Sequence, residues 1–331
     1  MKKRILALLQ AAILLVSFSA CGTSDAENKE DVAVDSPRVV AMGTGDTTGT
    51  YYAFGNLLSG YMQDASGLVI DVVSTDGSAS NVQNVNDGIN YLGMAQADIM
   101  AYAWDGSNTF QGKGQLQSFR AIGGLYEEAV QIVTLDENIK TMDDLKGRIV
   151  SVGAVDSGVY FNALNILDAY GLTEEDVNAA YLSFGDSVTA MKAGTVDAAF
   201  MVSGAPTNAV AELAAEGDVY LVNIDGEEAD ELISRCPYYN KHVILSGTYD
   251  GLDQDTNTLS IQATMIVSAD ASEEDVYNLT AGIYENTEGI SAILSRGIDM
   301  SVENATTGVT IPFHSGAAKY FAEKGFTVPT E

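Results

Sequence analysis

The sequence has few cysteines, few histidines and few basic residues. Only Cys21 and Cys236 occur in 331 residues, which excludes a disulfide framework, and Cys236 is expected to be a small buried side chain. His242 and His314 have no neighbouring cysteine, serine motif or metal-spaced acid, so no recognised catalytic or metal-binding set is present. Lys and Arg number 16 against 46 Asp and Glu, a net charge of −30, which argues against nucleic acid as a partner. We therefore expect neither an enzyme nor a cofactor.

The N-terminus predicts export. A basic start precedes an apolar run over residues 5–16, which is too short to span about 30 Å of hydrocarbon at about 1.5 Å per residue. Small residues then precede Cys21 as in a lipoprotein cleavage site, although Phe18 stands where leucine is usual. We expect a signal peptide over residues 1–20, lipidation of Cys21 rather than plain secretion, and a flexible acidic linker over residues 21–37. The mature chain is then anchored on the outer face of the bacterial cytoplasmic membrane, or lies in the periplasm.

A loop of glycine and hydroxyl residues follows the first apolar strand, which is predicted over residues 38–42. Its glycines do not fit the dinucleotide spacing, and Gly49 is followed by Thr50 rather than by the lysine of a phosphate-binding loop. A flexible turn without a ligand is the alternative, but the hydroxyl groups favour a small-molecule site. An amphipathic helix follows, and its first amides would point into the loop. The expected buried face of that helix comprises Phe54, Leu57, Leu58, Tyr61 and Met62.

A second unit of the same kind follows a strand predicted over residues 148–152. A loop over residues 153–159 leads into a helix with Tyr160, Ala163 and Leu167 on one face. Either the supersecondary order is repeated or α/β units recur by chance. We predict an α/β protein with mostly parallel sheets and two lobes, lobe I over residues 38–128 and 261–331 and lobe II over residues 129–260. Ligands bind at the carboxyl ends of strands in such sheets, so both loops are expected to face one cleft.

The candidate binding residues lie in these loops and at nearby strand ends. Two roles are open for Gln96, Asp98 and Glu128, namely ligand selection or a structural role. An acid that faces the cleft would favour a ligand with an ammonium group over a plain dicarboxylate. Asp46 and Asp156 would weaken anion binding unless they cap their helices and point outward. The predicted ligand-binding residues are Thr44, Gly45, Thr48, Gly49, Tyr51, Tyr52, Ser78, Asn81, Gln96, Asp98, Tyr126, Glu128, Gly153, Ala154, Ser157, Gly158, Val159, Phe184 and Phe200.

Several segments in unbroken order resemble one family. They cover residues 43–52, 95–98, 125–128, 144–147, 151–158, 181–184, 197–207 and 304–312. The chain resembles the TAXI-type solute receptors of tripartite ATP-independent periplasmic (TRAP) transporters. The resemblance implies a two-lobed type II periplasmic-binding-protein fold that closes on a small acid, commonly glutamate or a related dicarboxylate.

The same resemblance implies a monomer that delivers its ligand to a fused, sodium-coupled TRAP permease. The family often has glycine at Asp46 and Asp156, proline at Glu127 and histidine at Gln131, which leaves the ligand open. A surface sensory receptor of the same fold is the alternative function.

Overall fold

The computed structural model describes residues 37–293 and 299–331, so the predicted signal peptide and Cys21 lie outside the described residues. None of the described helices is both long and apolar enough to cross a bilayer. The strands are β1 (Val39–Gly43), β2 (Val69–Val73), β3 (Leu92–Gln96), β4 (Phe119–Thr134), β5 (Val150–Ser151), β6 (Ala198–Ser203), β7 (Tyr220–Leu221), β8 (Tyr239–Ile244) and β9 (Thr256–Ser268). The helices are α1 (Thr50–Ser66), α2 (Ser78–Asn86), α3 (Ala97–Asp105), α4 (Gly158–Ala169), α5 (Phe184–Lys192), α6 (Asn208–Glu216), α7 (Gly226–Arg235), α8 (Glu273–Tyr284), α9 (Thr287–Ile293), α10 (Val302–Thr306) and α11 (Ser315–Glu323).

The strands form one mixed sheet. Their order is β2-β1-β3-β9-β4-β6-β5, with β7 beside β4 and β8 beside β9. The pairs β1–β2, β1–β3 and β5–β6 are parallel, whereas every pair that includes β4 or β9 is antiparallel. The α/β class is confirmed, but the prediction of mostly parallel sheets is wrong. The prediction fails because the two long strands, β4 and β9, run antiparallel to each other and to their neighbours.

Two separate groups of buried side chains pack around this sheet. The first core draws its residues from 40–126 and 263–321. The second core, from residues 129–261, covers both faces of the strands around β6. Strands β4 and β9 are almost entirely buried and contribute to both cores, because each is long enough to pass from one core into the other.

Local structure agrees with much of the sequence pattern. Helix α1 buries Phe54, Leu58 and Met62 as its periodicity predicts, whereas Leu57 and Tyr61, predicted on the same face, are only half-buried. The strand-loop-helix order is confirmed at β1–α1 and at β5–α4. The N-cap of α2 is Gly77, and the hydroxyl of the next residue, Ser78, accepts the Gln96 backbone N–H at 3.1 Å.

Glycine permits close packing of α8 against α1. A Cβ on Gly282 would lie 2.8 Å from the Tyr61 carbonyl oxygen, so Gly282→Ala is expected to lower the free energy of unfolding by about 1–3 kcal/mol. Gly60→Ala is the matched control, because Gly60 is also inside a helix but has no heavy atom within 4 Å of such a Cβ. We expect this control to gain up to about 1 kcal/mol. Urea unfolding followed by circular dichroism measures both, and equal effects would contradict the close packing.

Candidate ligand cleft

A cavity of about 530 Å³ lies between the two cores. Four helices begin at its wall, since it is lined by the N-cap residues Gly49 of α1, Gly77 of α2, Ser157 of α4 and Ser183 of α5. A helix N-terminus carries unpaired N–H groups and the positive end of the helix dipole. Four such ends around one cavity are able to stabilise an anionic group there.

The two sides of the cavity differ in how their helices are capped. The hydroxyl of Ser157 accepts the Tyr160 N–H at 3.1 Å, and that of Ser183 accepts the Asp186 N–H at 3.2 Å. Helices α1 and α2 have glycine N-caps and therefore no side-chain cap. Ligand oxygen atoms can take the place of a missing cap, so the α1 and α2 ends are the stronger candidates for binding a carboxylate.

Most of the predicted binding residues line this cavity. They are Gly45, Gly49, Tyr51, Ser78, Gln96, Glu128, Gly153, Ala154, Ser157, Gly158, Val159 and Phe184. Gln96 and Gly158 come from different cores, and a Cβ on Gly158 would lie 1.8 Å from Gln96 Oε1. Glycine is thus required where α4 begins, because any side chain would displace Gln96.

The other predicted residues are outside the cavity lining, which is a correction. Thr44 is fully buried and donates its hydroxyl to the Val73 carbonyl, while Asn81 donates to the carbonyls of Thr44 and Met94. Thr48 bonds to the carboxylate of Asp46. These hydrogen bonds hold the loops in place.

Three aromatic residues are also outside the lining. Tyr126 and Phe200 are buried in the two cores, so the prediction that Phe200 walls the pocket is wrong. Tyr52 is half-buried, and it lies next to Tyr51 on α1, where consecutive side chains point in different directions.

Asp98 was predicted at a strand end but lies in the first turn of α3, fully buried and away from the cavity. Its Oδ2 accepts Asn162 Nδ2 at 2.9 Å, and its Oδ1 accepts the Ile99 N–H at 2.8 Å. Asn162 lies on α4, so this pair connects the two cores. Burial raises the pKa of Asp98 to about 7, and the two hydrogen bonds oppose the shift.

Glu128 lines the cavity although only 2% of it is exposed. Its Oε2 accepts the Tyr51 hydroxyl at 2.9 Å, and burial raises the pKa of Glu128 to about 8. Asp46 and Asp76 are the other acids of the lining. The prediction that Asp46 caps α1 and points outward is wrong, because its Oδ1 accepts the Thr48 N–H within the loop. Asp156 is exposed, as expected, although Ser157 caps α4.

Hydrogen bonds join the two cores around the cavity. Ser203 Oγ accepts the Thr50 N–H at 3.2 Å and donates to Thr50 Oγ1 at 2.8 Å. The Ala209 N–H donates to the Thr48 carbonyl and the Ser80 N–H to the Asp156 carbonyl, both at 3.2 Å. The cleft is therefore closed in this structure.

The model of the NMT1-like family matches residues 42–325, a segment that includes both loops and the whole cavity lining. The chain belongs to the NMT1-like family. This family consists of periplasmic solute-binding proteins for small ligands rather than enzymes.

Solved structures resemble this NMT1-like chain at low identity. A protein from Bordetella bronchiseptica RB50 has 19% identity over 86% of this chain and 88% of its own, with a TM-score of 0.52. The periplasmic aliphatic sulphonate binding protein SsuA from Escherichia coli has 18% identity over 87% and 91%, with a TM-score of 0.44. The GluR0 ligand-binding core from Nostoc punctiforme, in complex with L-glutamate, has 15% identity over 78% and 97%, also at 0.44. The type II periplasmic-binding-protein fold is confirmed.

Several lining residues of the NMT1-like chain were missed by sequence reasoning. The loop between β2 and α2 could have been found, because Ser74, Thr75 and Gly77 repeat the hydroxyl and glycine composition of the first loop. The missed residues are Asp46, Thr50, Val73, Ser74, Thr75, Asp76, Gly77, Ser80, Asn84, Ile89, Asn90, Leu182, Ser183, Val202 and Ser203.

Asp98→Asn is expected to stabilise the protein more as the pH rises from about 4 to about 8. The pKa of Asp98 is about 7 in the folded state and 3.8 as a model value, so between these pH values the folded state binds a proton that the unfolded state has lost. The free energy of unfolding of the wild type therefore falls as pH rises through this window. We expect the variant to gain up to about 4 kcal/mol relative to wild type across it.

Urea unfolding at several pH values measures this gain. Asp105→Asn is the control, because Asp105 is exposed at the end of the same helix, and its effect should be constant over that range. Parallel pH profiles for wild type and Asp98→Asn would contradict the assignment.

Proposed function

We propose that the chain captures a small carboxylic acid in this cavity by closure of two lobes and delivers it to a TRAP membrane permease. Glutamate, or a related amino acid or dicarboxylate, is the ligand implied by the sequence resemblance. The observation that best supports the proposal is the convergence of four helix N-termini, two of them without side-chain caps, on one enclosed cavity.

Several contacts must act together to bind such a ligand. One helix N-terminus contributes about 0.3–2 kcal/mol to a nearby anion, whereas micromolar affinity needs about 8 kcal/mol. The hydroxyls of Thr50, Ser78 and Ser203 line the same space and can supply further hydrogen bonds. Leu182 and Val202 offer apolar surface to the carbon chain of the ligand.

Lobe closure is the second part of the proposal. We assign lobe I to residues 38–128 and 261–331 and lobe II to residues 129–260, in line with the two buried cores. Only a few hydrogen bonds, such as that from Ala209 to Thr48, join the loops across the cleft. Bending of β4 and β9 would open the cavity, and a ligand that contacts both sides would favour the closed state.

Delivery at the membrane completes the proposal. Lipidation of Cys21 would hold the receptor beside its permease, and the acidic linker over residues 21–37 would let it reach the permease. The support for this part is the sequence resemblance and the N-terminal pattern.

Gly49→Val is expected to weaken ligand binding at least tenfold without unfolding the protein. A Cβ on Gly49 would lie 3.3 Å from the Phe184 ring, which is contributed by the opposite core, so a branched side chain would hold the cleft open. Thr47→Val is the matched control, since Thr47 is exposed on the same loop.

Isothermal titration calorimetry over small amino acids and dicarboxylates measures the affinities, and thermal unfolding checks the fold. If no acid binds the wild type, the proposed function is wrong. Equal affinities for wild type and Gly49→Val would remove this loop from the site.

A further inference from the structure

Hydrogen-bond acceptors dominate one part of the cavity wall. Glu128 and Gln96 both line the cavity, and each residue is only 2% exposed. Within the part of the chain that the structure describes, Gln96 Oε1 is buried without a hydrogen-bond partner. Tyr51 already donates its hydroxyl hydrogen to Glu128 Oε2. Gln96 Oε1 is thus an unpaired acceptor beside the carboxyl group of Glu128, and a ligand that supplies N–H groups would satisfy it.

The rest of the lining contains no compensating cation. Among the described residues, no Lys, Arg or His lines the cavity, whereas Asp46 and Asp76 join Glu128 there. The helix N-termini of α1 and α2 can accommodate one carboxylate. A second carboxylate on the ligand would lie near these acids with no cation among the described lining residues to balance it, and its donors would have to come from neutral side chains such as Asn90 and Ser183.

Resting on the proposed function, we infer that Glu128 and Gln96 form an ammonium subsite and that the ligand is an amine-bearing acid of net charge zero or above. The ammonium group has three N–H donors, which match the Glu128 carboxylate, Gln96 Oε1 and the Tyr51 hydroxyl oxygen. The ligand carboxylate then lies at the uncapped ends of α1 and α2. This narrows the proposed class from small carboxylic acids to neutral or basic amino acids.

Proton release accompanies this mode of binding. Burial raises the pKa of Glu128 to about 8, hydrogen bonds from the Tyr51 and Gln96 side chains oppose the shift, and Asp98 and Glu127 add to it by like-charge repulsion. Tyr126 also lies near this carboxyl and stays neutral, because burial raises its pKa well above 10. At about pH 7 the empty site therefore retains a proton on Glu128, and an ammonium group displaces it.

Five probes with the same five-carbon chain separate the contributions of ammonium and carboxylate. They are glutarate, with two carboxylates; L-glutamate, which adds one ammonium; L-glutamine, with one of each; L-ornithine, with one carboxylate and two ammonium groups; and cadaverine, with two ammonium groups only. We expect L-glutamine or L-ornithine to bind at least tenfold more tightly than glutarate or L-glutamate. Calorimetry in buffers of different ionisation enthalpy should show proton release on binding of either.

Glu128→Gln tests the subsite directly, because it removes the charge but keeps the shape and an acceptor for Tyr51. We expect affinity for L-glutamine and L-ornithine to fall about ten- to hundredfold and proton release to disappear. Glu127→Gln is the matched control, since it removes the same charge one residue earlier and Glu127 is outside the cavity lining. Thermal unfolding of both variants establishes that they fold.

The outcomes distinguish this inference from the proposed function. If glutarate binds most tightly and Glu128→Gln leaves its affinity unchanged or higher, the carboxylic-acid receptor stands and the ammonium subsite is wrong. If only cadaverine binds, and through Glu128, the ammonium subsite stands and the carboxylic-acid proposal is wrong. If none of the five probes binds, both are overturned. Equal losses in Glu127→Gln and Glu128→Gln would also overturn the subsite.

Discussion

A cavity lined by acids and by no described cation can hold a carboxylate only through neutral donors, which are backbone N–H groups and the hydroxyl and amide side chains of the lining. The lining contains Asp46, Asp76 and Glu128, so the ends of α1, α2, α4 and α5 have to oppose the unfavourable potential of these acids. This constraint determines the architecture around the cleft. The strands must end where the cavity lies, and the helices that follow them must begin there. The mixed sheet brings such strand ends to the cavity from both cores.

The same constraint explains which residues are glycine. Gly49 and Gly77 supply no side-chain cap to α1 and α2, although Ser203 Oγ accepts the Thr50 N–H from across the cleft, whereas serine caps α4 and α5 on the other side. Gly158 lets Gln96 approach the start of α4, where a Cβ would lie 1.8 Å from its Oε1. Local capping energy, about 1 kcal/mol per helix, is thus given up where the cavity has to stay open.

The fold and about half of the cavity wall were predictable from sequence, because helix periodicity and loop composition are local properties. The direction in which a buried acid points was not predictable from sequence. Asp98 follows β3 directly, and the chain turns into α3 at that point, which reorients the side chain. Glu128 lies just after an irregularity in the pairing of β4 with β9, between Gly124 and Glu127, so simple alternation along the strand cannot assign its face. The loop before helix α2 was also missed.

The two buried acids near the cleft, Asp98 and Glu128, have different hydrogen-bond partners and therefore different roles. Asp98 is bonded to Asn162 across the two cores and is closed off from the cavity, so it serves the closed conformation. Glu128 accepts the Tyr51 hydroxyl and faces the ligand space. Two unit charges about 4 Å apart interact by about 4 kcal/mol at an effective dielectric constant of 20. That repulsion exceeds what one helix end contributes to an anion, so a second ligand carboxylate can lie beside Glu128 only while Glu128 keeps its proton, whereas an ammonium group there favours the ionised form.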